Sequence, residues 1–412
     1  MSQLTKRDLE NLLRPTYGID LVVESFTSNS LTEPGENFGS MMLALEIELL
    51  QGKQEKVKQN LSLVAKLPPP SPYLKRLFDI ENTFYKEIIC YIEVKGLYDK
   101  FQQEMGISKD KFLDVFPVCY GARTTLSHEI GDVADENVVL LLENLKASQY
   151  DTVDRRKGLD YKHMHLAISH LARFHATSVA VKILKPEEFE KIIIKACRLQ
   201  NFNISEKESD EHNHSIIKNI SAISECKGYV ERVKERIEDG KKAFLEKIPQ
   251  KANEPYAALV HLDFWSNNMM FSYDYNKDPV KIKFLDFQGV KYDSPAKDLI
   301  FFLYSSAADG VMPKYYDEFI KIYYENFVDC LKNYGCDTTP FTFESFTNEI
   351  NDSGPKEAIH ILFMLMIICA DRNDVVRDIS EVRNDNIITK SNPIYEKRVT
   401  QVILDFVKRG WL

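Results

Sequence analysis

The chain has 412 residues, 44% of them hydrophobic and 28% charged, so core size is not limiting and a globular protein is expected. Its net charge of −9 excludes the basic face that a nucleic-acid binder needs and argues against docking on an anionic membrane. Seven scattered cysteines without a C-x-x-C pair exclude a disulfide framework and a zinc site and indicate a reduced, cytoplasmic protein. Met1 to Glu10 lacks a signal peptide's apolar core, and the longest apolar run, Ile359 to Ala370, is too short to span a bilayer.

Thr5 to Leu13 reads as a short helix stopped by Pro15 and Gly18. Three strands follow, Leu21 to Phe26, Met41 to Leu50 and Asn60 to Lys66. Between the first two lies Gly35-Glu36-Asn37-Phe38-Gly39-Ser40, a turn able to offer backbone N–H groups to phosphates. Most such glycine clusters are only turns. Lys66 closes the third strand ahead of Pro68-Pro69-Pro70, where a lone lysine is ordinarily solvated but also stands where a kinase lysine contacts phosphates. Such a lysine needs a carboxylate partner. The helical stretch Tyr73 to Tyr91 offers Glu81, preferred because it follows Ile80 on the packed face, or Glu87.

A short strand, Phe116 to Ala122, precedes the apolar strand Asn137 to Leu145. Its end, Glu143-Asn144-Leu145, has the character of a connector whose backbone can pair with an adenine edge. The domain boundary is therefore placed at 145/146, with a nucleotide-binding lobe over 1–145 and a helical lobe over 146–412. Tyr161 to Val181 is a helix carrying His163, His165, His170 and His175. Without H-E-x-x-H these suit polar edges of a packed helix better than a metal site. Glu187 to Cys197 reads as a second helix, 201–219 as a polar surface loop, and Gly228 to Ile248 as a charged helix. Beyond Ser294-Pro295, which opens a helix carrying Asp298, the pattern gives helices over Tyr315 to Leu331, over Phe343 to Ile350, near 359, and up to Lys408. Asp298 suits the helix's first turn and equally a bond back to the loop before it, and the two roles can coexist.

The chemistry concentrates at His261-Leu262-Asp263-Phe264-Trp265-Ser266-Asn267-Asn268. An apolar run, a turn at Tyr275 to Pro279 and an alternating strand, Val280 to Leu285, lead to Asp286-Phe287-Gln288. A hairpin would thus deliver Asp286 beside the loop bearing Asp263 and Asn268. Phosphoryl transfer needs a carboxylate to orient and deprotonate a hydroxyl, and hard oxygen donors for Mg²⁺. Asp263 fits the first role; Asn268 and Asp286 fit the second. His261 braces the loop, since this chemistry requires no imidazole. Any one of these residues could merely cap a turn, but the ordered set argues otherwise.

Taken together, the Gly35 to Ser40 loop, Lys66-Leu67-Pro68, Glu81 with Phe84-Tyr85, Leu142 to Leu145, His261-x-Asp263-x-Trp265-x-Asn267-Asn268, Phe284 to Gln288 and Asp298-Leu299 resemble the insect ecdysteroid-kinase-like family, itself similar to choline and aminoglycoside kinases. The likeness covers roughly residues 20 to 400. It implies an α+β, bilobal protein-kinase-like fold: a small N-lobe with an antiparallel sheet plus helix, and a larger, mainly helical C-lobe. It implies ATP and Mg²⁺ as cofactors and a small-molecule alcohol as acceptor, an ecdysteroid or another lipophilic alcohol; no protein partner is implied. Choline-like or xenobiotic acceptors are the alternatives. Leu262 stands where the family commonly has glycine, and Gly39 where a small Ala is usual. If the loop needs positive φ at 262, a leucine there is the one feature favouring a pseudokinase that binds nucleotide without turnover.

Overall fold

The computed structural model describes residues 4–31, 39–52, 57–127, 130–131, 133–198, 205–245, 253–371 and 391–412. Thr5 caps α1 (Lys6–Tyr17) in a reciprocal capping box with Asp8. Strands β1 (Val22–Ser30), β2 (Met41–Gln51) and β3 (Val57–Leu67) form an antiparallel meander. Strands β4 (Cys119–Arg123) and β5 (Val139–Glu143) complete a five-stranded sheet of order β1-β2-β3-β5-β4. Alternation divides its residues between two faces. Leu45, Ile47, Leu49, Leu63 and Ala65 join Leu9, Leu12 and Leu13 of α1 in one core. On β5, Val139 and Leu141 face that core, while Leu140 and Leu142 join the larger core of the rest of the molecule.

The expected helix over 73–91 is broken at Asp79, whose φ of 47° is left-handed. It divides into α2 (Pro72–Leu77) and α3 (Ile80–Ile89), and a wider π-helical turn, Cys90–Val94, runs on into α4 (Lys95–Glu104). The helical lobe is built on α5 (Tyr161–Leu184), followed by the single-turn α6 (Pro186–Glu188) and a second π-helical turn, Phe189–Ile194.

The expected polar loop over 201–219 is corrected. Residues 201–204 lie outside the described residues, but Glu206–Ala222 is a helix, α7. A Ser205–Glu208 capping box starts it, and Ile216 and Ile220 anchor it in the core. Next come α8 (Val230–Leu245), strand β6 (Ala258–Val260), the hairpin β7 (Met269–Tyr273) and β8 (Pro279–Phe284), and β9 (Lys291–Asp293), which pairs with β6.

Helices α9 (Pro295–Ser306), α10 (Val311–Asn333), α11 (Phe343–Ile368) and α12 (Pro393–Arg409) close the fold. The two segments read near 343 and 359 are one helix: α11 runs through Pro355, which removes a single N–H but leaves the core-facing stripe intact. The architecture is the bilobal α+β one expected. Among the described residues no helix is long and apolar enough to cross a membrane.

Gly354 on α11 seats the indole of Trp411, which is 1% exposed; a Cβ at 354 would lie 2.2 Å from the ring. The Gly354→Ala variant is expected to lose about 1–3 kcal/mol of stability through overpacking, measured as a fall in the urea or thermal unfolding midpoint.

Candidate active site

On β3, Lys66 alternates with Ala65 and Leu67, so its side chain leaves the α1 face of the sheet and enters the side covered by α3. There its ammonium meets Glu87 Oε2 and Asp286 Oδ1, both at 2.7 Å, and lies over the ring of Phe84. Glu87 follows Phe84 by one turn and shares its face. The preferred partner Glu81 is thereby corrected: it occupies the exposed first turn of α3, two turns short of the lysine.

Burial works against the charge on Lys66, yet the two carboxylates outweigh it and hold its pKa above the usual lysine value. Burial pushes the Glu87 carboxyl up to about 7, against the pull of Lys66, with Asp286 adding to the rise.

The phosphate-loop residues Gly35, Glu36, Asn37 and Phe38 lie outside the described residues. The end of that loop, Gly39-Ser40, is buried, and the Met42–Lys66 pairing of β2 and β3 sets it beside the lysine. A Cβ at Gly39 would meet Gln288 Oε1 at 3.1 Å, so Gly39 permits close approach to the segment after Asp286.

In the connector, Glu143 is a bracing residue. Its N–H donates to Val118 O, and its carboxylate accepts from Ser148 Oγ and from the N–H of Val118. Asn144 donates to Ser62 Oγ on β3. Leu145 packs with Tyr150 and Met270, with Leu285 at the edge of the same cluster, which ties the connector to the hairpin.

The hairpin β7–β8 forms as expected, and the N–H of Leu285 donates to Asn268 O at 2.8 Å, setting Asn268 and Asp286 side by side. Asn268 donates both amide hydrogens to Asp263, one to its carbonyl (2.8 Å) and one to Oδ2 (2.7 Å). Its Oδ1 is then the atom available as an oxygen donor. Burial and the charge of Asp286 raise the Asp263 carboxyl above the usual aspartate value; the pull of His261 and His360 and the Asn268 bond act the other way. A raised pKa makes a carboxylate a better proton acceptor.

Asp298, fully buried, holds this loop. It accepts the N–H of His261 at 2.6 Å and that of Leu262 at 2.7 Å, so the bond back to the loop is realised from a residue that also stands in the first turn of α9. Leu262 sits at φ 64°, the left-handed region where glycine is at ease. The ring of His261 braces the loop from below: its Nε2 donates to Leu285 O at 2.9 Å, since a carbonyl can only accept.

Two supporting residues were missed in the sequence. His175, read as a polar helix edge, is fully buried and bridges Asp298 Oδ2 (3.0 Å) and Tyr323 OH (2.7 Å). Its spacing from Leu171, Ala172 and Val179 on the core stripe was the available signal. Gly289 is the other; a Cβ there would press on His261 O at 2.8 Å.

Among the described residues no three His, Cys, Asp or Glu side chains are grouped to hold a metal. Asn268 and Asp286 supply two hard oxygen donors, which suits Mg²⁺ when nucleotide phosphates complete its shell. A sequence model of the ecdysteroid kinase-like family matches residues 34–336. The chain belongs to that family. Membership places it among kinase-like, small-molecule phosphotransferases, and of the residues of the resemblance Lys66, Asp263, Asn268 and Asp286 are linked by the contacts described above.

No curated protein matches this ecdysteroid kinase-like chain by sequence. In shape it is similar to spectinomycin phosphotransferase in complex with ADP and spectinomycin (14% identity, 100% of each chain covered, TM-score 0.41). It is also similar to the GDP complex of an aminoglycoside 2'-phosphotransferase (11% identity, 87% of this chain and 90% of that one, TM-score 0.41).

Two outcomes follow for this kinase-like site. Glu87→Ala is expected to weaken ATP binding roughly tenfold, about 1.4 kcal/mol, while Glu81→Ala leaves it unchanged, as read by titration calorimetry. Leu262→Gly relieves the left-handed strain and is expected to raise unfolding free energy by about 1 kcal/mol, measured by denaturant unfolding.

Proposed function

We propose that the protein transfers the γ-phosphoryl group of ATP to a hydroxyl of a small, lipophilic alcohol, with an ecdysteroid as the leading acceptor. The observation that carries this reading is the convergence of Lys66, Asp263, Asn268 and Asp286 from a strand, a loop and both ends of one hairpin. Asp263 orients the acceptor hydroxyl and takes its proton as the new O–P bond forms and the bond between the β- and γ-phosphates breaks, releasing ADP. Lys66, fixed by Glu87, binds phosphate oxygens. Asn268 and Asp286 hold the metal, and Mg²⁺ when bound neutralises charge on the phosphates. The 35–40 loop covers them, Glu143 to Leu145 frame the adenine, and the lobe division near 145 follows from that role.

Leu262 is the one feature that favours a pseudokinase. Against it, the N–H groups of His261 and Leu262 are both held by Asp298 although residue 262 is a leucine. That supports a loop in working geometry, and so an active enzyme. Choline-like and xenobiotic alcohols are the acceptor alternatives. Seven free cysteines fit a reduced, cytoplasmic setting.

Asp263→Asn is expected to retain ATP binding and lose turnover by roughly 10²–10³. The measurement is ATP consumption with Mg²⁺ over a panel of steroid, phenolic and amino-alcohol acceptors, and chelation of Mg²⁺ is expected to abolish it. Turnover near wild type in the variant overturns the assignment of the base.

A further inference from the structure

The mechanism above uses nothing from α11, yet one side chain of that helix, His360, interacts with the charges of Asp263 and Asp298. Asp298, which holds the catalytic loop, and Phe301, one turn further along the same side of α9, point the way. Phe301 is 1% exposed, and the imidazole of His360 lies flat on it, with ring centroids 4.5 Å apart and planes 7° from parallel. Glu357, one turn earlier on α11 and itself 9% exposed, takes the hydrogen of His360 Nδ1 at 3.1 Å. The ring is therefore covered on one face and tied at one nitrogen, and its side chain is still 38% exposed.

A histidine that only filled the core would have neither a buried carboxylate fixing its orientation nor an open edge. The charged groups that face it are Glu357 from its own helix, Asp263 from the catalytic loop and Asp298 from α9. Burial disfavours its charge, but these three carboxylates outweigh burial and raise its pKa above the usual histidine value. With Nδ1–H given to Glu357, the charged ring that these carboxylates favour offers Nε2–H as a donor within the field of the carboxylate that receives the acceptor's proton.

We infer that His360 is an acceptor-positioning residue, whose Nε2 binds an oxygen of the alcohol next to the hydroxyl presented to Asp263, with the Phe301–His360 stack as a wall of that subsite. This rests on the kinase reading above and deepens it. It names the acceptor class as an apolar skeleton carrying a second oxygen beside the reacting hydroxyl, such as a vicinal diol or a hydroxyketone. A simple mono-alcohol would leave Nε2 unpaired.

The test compares the initial rates of His360→Ala, His360→Gln and wild type with an ecdysteroid polyol and with a steroid mono-alcohol. His360→Ala is expected to raise KM for the polyol roughly 10–100-fold, the value of one hydrogen bond to a charged donor, with KM for the mono-alcohol little changed. His360→Gln, which keeps a donor, is expected to recover part of the loss, and it carries the test if thermal unfolding shows the alanine variant to be misfolded. Equal effects on both alcohols, an effect confined to kcat, or no effect would overturn the inference while leaving the kinase reading in place. If the wild-type enzyme neither binds nor phosphorylates any acceptor in the panel, the kinase reading falls and this inference falls with it.

Discussion

The structure depends on a single buried carboxylate. Asp298 is fully buried and gives both oxygens to two consecutive backbone N–H groups, those of His261 and Leu262, with His175 as a further partner. An ionised aspartate that far from water is costly unless every oxygen is satisfied. Three elements meet that need together: the loop, α5 through His175, and α10 through the Tyr323 hydroxyl on the other side of the same imidazole. The loop's position is thus set by the core of the helical lobe. The same bonds account for Leu262: a left-handed leucine costs roughly 1–2 kcal/mol, a sum that two charge-assisted hydrogen bonds offset.

A second shared charge joins the lobes. Lys66 belongs to the sheet, Glu87 to α3 and Asp286 to the end of the hairpin, and one ammonium bonds both acids. Phe287, next to Asp286, is fixed by stacking on Phe116 and by the edge of Tyr91, whose π-helical turn continues α3. The segment that carries the metal-ligand candidate is therefore held by the helix that carries the lysine's partner. Any shift of α3 moves both.

Much of this was legible in the chain. Alternating Lys and apolar residues between an Asn-Lys-Asp-Pro turn and Asp286 marked the hairpin, because period-two patterning has few other readings. The strands around Lys66 were legible for the same reason. The choice between Glu81 and Glu87 was not: helical periodicity admits both, and which turn faces the lysine depends on where the sheet crosses α3. Helix α7 hid behind its polar composition, since only Ile216 and Ile220 need burial, and the Ser205–Glu208 cap was its one clear signal. His175 and Gly289 act through contacts with residues far along the chain, His175 with Asp298 and Gly289 with His261, which no local pattern records.

Helix α9 looks both ways. Asp298 faces the loop that carries Asp263, and Phe301, three residues on, faces α11 and His360. On the proposed reading, catalytic power and choice of molecule are anchored a single turn apart yet rest on different neighbours. Substitutions along α11 can redraw the surface an alcohol meets while the loop keeps its hold on Asp298. A lineage built on this scaffold can change what it modifies without relearning how, which is the kind of freedom that turns one ancestral enzyme into a diversified set.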